Sequence, residues 1–166
     1  MFTLKKILWF CVVIILFGIS FFYKNYVAID SKILSAFEKR DQTLLRNCFL
    51  NENNNWYQKT KSVEFYFSLS CDKEDLFLQK ILKSPIHQNR LSLFEGCFTK
   101  KNNSYLIARG INDSYSYVRF INLKYMEKLS LSKDYQKDLK SIIKNDSSSM
   151  VKNQALKLIL NIKKNE

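Results

Sequence analysis

Apolar and polar positions change rhythm twice along this chain. The opening stretch MFTLKKILWFCVVIILFGISFFYKNY carries two lysines, then a mostly apolar, uncharged run from Ile7 to Tyr23 closed by Lys24. As a helix, those 17 residues rise about 26 Å, enough to cross the hydrocarbon of a bilayer. Lys5 and Lys6 ahead of the run place the N-terminus in the cytoplasm and send the rest across; Lys24 and Lys32 weaken that bias without reversing it. Residues 1–24 therefore read as an uncleaved signal-anchor. Gly18 and Ser20 leave a cleaved signal peptide as the alternative, against which Phe21, Phe22 and Tyr23 carry the apolar run past the cleavage position.

From 25 to 71 the pattern is that of a linker and a helical cap. SKILSAFEKRDQTLLRNCFL has helical spacing through Ile33, Leu34 and Phe37, then Leu44, Leu45 and Phe49. NENNNWYQKTKS is a polar loop in which Trp56 and Tyr57 are either a surface contact or the start of the next helix. VEFYFSLS alternates like a strand, yet it has no partner strand, so it reads as helix.

Residues 72–166 show a different regularity. VKNQALKLILNIKKNE places Val151, Ala155, Leu158, Ile159 and Ile162 on one helical stripe, and Val118, Ile121, Tyr125 and Leu129 form a similar one. Leu91, Phe94 and Phe98 make a third. A polar turn stands before each longer helix, beginning at Ser84-Pro85, Asp113 and Asp146, with Arg90, Arg119 and Lys152 six residues on. Each turn follows a shorter helical segment: DKEDLFLQKILK, with acids at its start; NNSYLIARG, ending on Gly110 as a C-terminal cap; and SKDYQKDLKSIIKN, with Ser132 as N-cap and Tyr135, Leu139, Ile142 and Ile143 on one side. The turn starts are 29 and 33 residues apart.

On Asp146, Val151, Lys152, Ala155 and Leu158, with Asp113, Val118 and Arg119 and more weakly Pro85 and Arg90, the segment resembles a HEAT-type α-helical repeat. Asn122 stands where that pattern has alanine, and Asn89 where it has valine. The resemblance implies an α-α superhelix over about residues 72–163 in which the basic residue of one turn bonds to the aspartate of a neighbouring turn. An irregular bundle of the same helices is the alternative.

Composition agrees with an all-α chain, since three glycines and one proline in 166 residues leave little turn chemistry for sandwiches, barrels or phosphate loops. The formal charge is +12, of which residues 24–166 carry +10 from 25 basic and 15 acidic residues. That excess attracts acidic protein surfaces, anionic lipid or nucleic acid. No dense basic tract with interleaved aromatics is present, which lowers the nucleic-acid reading. Cys11 lies in the apolar run. Cys48, Cys71 and Cys97, spaced by 23 and 26 residues, match no zinc or redox motif. They are either one disulfide plus a free thiol or three buried thiols.

His87 is the only histidine, reads as a turn residue, and has no nucleophile motif around it. Asp72, Glu74 and Asp75 sit where helix capping explains them. No catalytic group, metal set, cofactor or small-molecule site is read from the sequence. Tyr105, Tyr115, Tyr117, Tyr125 and Tyr135 are the candidate protein-contact residues. Together these features lead to the expectation of a non-enzymatic, single-pass protein of a bacterial inner membrane, anchored through residues 7–23 with its C-terminal domain outside the cytoplasm. Its partner is expected to be a protein: an acidic toxin that it neutralises as an immunity protein, or a subunit of an envelope complex that it serves as accessory. A charge-driven binder of anionic lipid or nucleic acid is the other class.

Overall fold

With so few glycines and prolines nothing interrupts helix formation for long, and among the described residues the chain forms ten α-helices and no strand. The computed structural model describes residues 4–22, 31–98 and 105–164. The helices are α1 (Leu4–Phe22), α2 (Ser31–Glu38), α3 (Gln42–Leu50), α4 (Trp56–Leu69), α5 (Leu76–Leu82), α6 (His87–Cys97), α7 (Tyr105–Gly110), α8 (Ser116–Lys128), α9 (Gln136–Asn145) and α10 (Ser149–Lys164). They fall into two compact units, residues 1–66 and 67–166, with the boundary inside α4.

In the first unit, α1 carries the apolar run, whose last residue Tyr23 lies with Lys24 outside the described residues. Among the described residues no helix is long and apolar enough to cross a membrane, so the structure does not support the expected span. The described side chains of α1, Trp9 and residues 11–20, are all exposed. Helices α2 and α3 pack together through a tight link: Arg40 adopts φ 55°, and Arg40 and Asp41 return their N–H groups to Phe37 and Ala36, a Schellman closure. Asp41 then caps α3 by accepting the Leu44 N–H at 2.8 Å. The asparagine-rich loop ends in a reciprocal box: Asn55 accepts from the Gln58 N–H and Gln58 from the Asn55 N–H. This starts α4 at Trp56, so Trp56 and Tyr57 open a helix, and VEFYFSLS continues it rather than forming a strand. Phe37 stacks on Phe65 at 4.4 Å beside the buried Ile33, Ala36 and Leu45.

The second unit holds three helix pairs, each a shorter helix followed by a longer one: α5/α6, α7/α8 and α9/α10. The partners of each pair pack together, and α8 also packs against both α6 and α10. The core contains Phe77, Leu93, Phe94, Leu106, Leu123 and Leu139. On α10 the stripe Val151, Ala155, Leu158, Ile159 and Ile162 is buried. On α8 the buried face is Val118, Asn122, Leu123 and Met126, rotated from the expected stripe, so Ile121, Tyr125 and Leu129 are half-buried flanks. Apolar residues encircle much of this helix because it meets three neighbours, and spacing alone does not fix its phase.

Three local expectations change. Helix α9 starts at Gln136 after turns over Leu131–Gln136, so Ser132 is not its cap. His87 is the first residue of α6 rather than part of the turn. Gly110 is the last residue of α7, but no described glycine has positive φ; what its missing side chain provides is clearance, because a Cβ there would lie 2.0 Å from Asn122 Cγ and Oδ1.

Of the cysteines, Cys71 and Cys97 are bridged across 26 residues, closing a loop around α5 and most of α6. Cys48 is buried and lies outside the bridge. A loop of this length stabilises by about 3.5 kcal/mol in the chain-entropy account.

Candidate protein-binding surface

Successive helix pairs of the second unit are tied at their turns by two identical ion pairs. Arg90, in the first turns of α6, donates from Nε to Asp113 Oδ2 at 2.7 Å and from Nη2 to Asp113 Oδ1 at 2.8 Å. Arg119, near the start of α8, donates to Asp146 Oδ2 and Oδ1 at 2.7 and 2.8 Å. Each arginine also grips the backbone of its own preceding turn, Arg90 at the Ser84 carbonyl and Arg119 at those of Asp113 and Ser114. Each aspartate in turn accepts the N–H two residues on, from Tyr115 and Ser148 at 2.8 Å. The side chains are nearly enclosed, 8 and 7% exposed in the first pair and 12 and 6% in the second. A bidentate guanidinium–carboxylate pair with its remaining lone pairs filled is the geometry in which a shielded ion pair holds.

These bonds hold the Asp146 carboxyl below the ordinary aspartate value of 3.8, the Arg119 hydrogen bonds acting first, against burial, with the Ser148 N–H and the charges of Arg119 and Lys152 adding to them. Hydrogen bonding to Asp113 likewise raises the Arg90 pKa against the effect of burial. Because the folded pKa of Asp146 is depressed, its contribution is fully present above the unfolded value and is lost as pH falls through the folded one. Urea midpoints of the wild type should therefore fall more steeply below about pH 4 than those of Asp146→Asn; parallel curves would show that the pair contributes no acid sensitivity.

The remaining repeat positions have simple places. Val118 and Val151 are buried, Lys152 is half-buried at the start of α10, and Pro85 is exposed in the first turn. Of the five tyrosines, Tyr115 and Tyr117 are exposed and Tyr105, Tyr125 and Tyr135 are half-buried. Tyr125 leans on Phe98 at 4.5 Å. The Tyr105 hydroxyl lies 3.7 Å from Cys71 Sγ, and as a bridged sulfur has no proton, the hydroxyl donates. Burial raises the pKa of Tyr105, helped by Asp72 and Asp75, and raises that of Tyr135, helped by Asp134 and Asp138. Tyr115 stacks on His87 with ring centres 3.8 Å apart. Tyr117 lies beside Phe120, whose ring Lys124 approaches at 5.8 Å. Asp75 caps α5 through the Phe77 N–H, which accounts for one member of the acidic cluster.

Beside the first ion pair lies an open cleft of about 470 Å³ that sequence reasoning did not anticipate. Arg90, Phe94 and Leu82 contribute to its wall, and Lys83, Pro85 and Arg109 stand exposed around it. No motif marks it, because Lys83 and Arg109 are brought together only by the stacking of α5/α6 on α7/α8. Among the described residues no group of His, Cys, Asp or Glu side chains is placed to hold a metal ion. Comparison with family models, curated proteins and solved structures gives no match.

Proposed function

We propose that this chain is a non-enzymatic protein-binding module of HEAT-type helical repeats, anchored through residues 7–23 and displayed on the outer side of a bacterial inner membrane. The observation that carries the reading is the recurrence, in register, of a basic residue six positions after a turn bonded to the aspartate of the next turn. Arg90–Asp113 and Arg119–Asp146 repeat one joint between successive helix pairs. Stacks joined this way present an extended face, and such faces serve protein recognition.

Two further observations fit the location. Trp9, Ile14, Leu16, Phe17 and Ile19 of α1 are exposed, and a helix apolar on every side is poorly suited to water. Its first lysines and Trp9 suit the headgroup region. The Cys71–Cys97 bridge fits an oxidising compartment. Protease added to intact spheroplasts should digest the helical domain; protection until lysis would reverse the orientation.

A photo-crosslinking amino acid at the exposed Tyr117 should give a discrete protein adduct in intact cells, and absence of any adduct would sink the binding reading. A partner that is toxic outside the cytoplasm unless this chain is present would mark the immunity role. A partner that belongs to an envelope assembly would mark the accessory role.

A further inference from the structure

We propose that the cleft between α5/α6 and α7/α8 receives an acidic side chain of the protein partner, held between Lys83 and Arg109; the proposal rests on the protein-binding reading and gives it a site. Four charged side chains line the cleft: Lys83, Arg90, Arg109 and Asp113. Arg90 and Asp113 satisfy each other in the bidentate pair. Lys83 and Arg109 are both exposed and have no carboxylate partner among the described residues. Two uncompensated positive charges therefore face one concave volume of about 470 Å³, within the range of specific binding pockets, and a concave low-dielectric wall concentrates their field.

Part of that charge answers the protein itself. Lys83 is the C-cap of α5 and Arg109 lies in the last turn of α7, where cations offset the negative end of a helix. Those helices have only 7 and 6 residues, and a helix end carries at most about half a charge, so both sites stay net positive. Of the neutral groups, the Gln79 and Asn112 amides donate to the Lys73 and Ala108 carbonyls, and the Ser84 and Ser114 hydroxyls accept from Asn89 and Arg90. The charge left for recognition is positive.

The surroundings favour a peptide over a bare anion. Leu82, Phe94 and Pro85 give the cleft an apolar wall. Next to its two turns, Ile86 and Tyr115 are 52 and 42% exposed, with Tyr115 stiffened by its stack on His87. A segment carrying a carboxylate beside an apolar residue can place the first between Lys83 and Arg109 and the second against this rim, where a rigid aromatic anchor contributes most. The +10 charge of residues 24–166 draws acidic partners toward the surface; the cleft supplies the docking point.

The test uses the full-length chain in neutral detergent micelles and a fluorescein-labelled peptide of alternating Glu and Leu, read by anisotropy at physiological salt. The Glu peptide should bind, its Gln counterpart should not, and Lys83→Glu with Arg109→Glu should weaken binding at least about tenfold. Lys137→Glu with Lys140→Glu, an equal change of charge on exposed positions of α9, should leave it unchanged. Equal loss in both double variants, equal binding of the Gln peptide, or no binding of the Glu peptide would overturn the proposal. Displacement by millimolar inorganic phosphate or by phosphatidylglycerol vesicles would overturn it in favour of a phosphate site. In cells, Lys83→Glu with Arg109→Glu should abolish the Tyr117 adduct. An adduct that survives these changes overturns the cleft assignment and leaves protein binding standing, whereas no adduct from the unaltered chain defeats both.

Discussion

Val118→Asp and Val151→Asp are each expected to lower the unfolding free energy by about 3–5 kcal/mol, although the two positions lie in different helix pairs. Both side chains are 0% exposed. A carboxylate there either stays charged in a dry site or takes up a proton, and both cost stability. The methyl contacts each valine makes between helices are lost as well. Against a typical total of about 5–15 kcal/mol, either change removes much of what holds the domain folded. Asn153→Asp adds the same charge to the exposed side of α10, two residues from Val151, and should cost less than about 0.5 kcal/mol. Urea midpoints followed by far-ultraviolet circular dichroism, on full-length protein in neutral detergent, compare the three. Valine variants as mild as Asn153→Asp would mean that these positions do not belong to the core.

The second large effect is one whose sign local propensity gets wrong. Replacing a helical glycine by alanine ordinarily gains about 1 kcal/mol, but Gly110→Ala is expected to lose about 3 kcal/mol, the upper part of the overpacking range. The new methyl would meet Asn122 Cγ and Oδ1 at 2.0 Å and Nδ2 at 2.2 Å, and Asn122, 0% exposed, has no open space to turn into. Asn122→Ala alone should be close to neutral. It gives up the bond from Nδ2 to the Val118 carbonyl, but also removes Oδ1, a buried acceptor with no partner among the described residues, whose desolvation is uncompensated. The double variant Gly110→Ala with Asn122→Ala should recover most of the loss, giving a coupling of about 2 kcal/mol in a double-mutant cycle. Additive losses would show that the clash is relieved by α7 moving rather than by the space Asn122 occupies.

These two cases mark where the sequence can be read and where it cannot. On α10 the apolar spacing of Val151, Ala155, Leu158, Ile159 and Ile162 finds the buried stripe, although Leu156 and Leu160 are exposed and Gln154 is buried. On α8 apolar residues lie on nearly every side, and a buried asparagine stands in the contact with Gly110; periodicity neither orients such a helix nor marks a polar residue as core. Gly110 was legible as an end of helix but not as a point of close approach, because that depends on what packs opposite. Arg90 and Asp113, 23 residues apart, share no local pattern, and only the resemblance pointed to bonds between neighbouring turns. The cleft was invisible for the same reason: Lys83 and Arg109 look like ordinary surface charges until stacking places them on one cleft. Which cysteines pair was equally open, since spacing says nothing about Cα separation.

The Cys71–Cys97 bridge adds a condition to assembly that no side-chain contact imposes. Arg90 fastens the first helix pair to the second, and Arg119 the second to the third, but the bond that closes the loop around α5 depends on an electron acceptor. A chain made in a reducing environment lacks it, and with it about 3.5 kcal/mol, a sizeable share of a small domain's stability. Such a chain is less stable by that amount until its two thiols are oxidised. Redox state thus acts as a ratchet: once the two thiols are oxidised, the compact form is harder to lose than before.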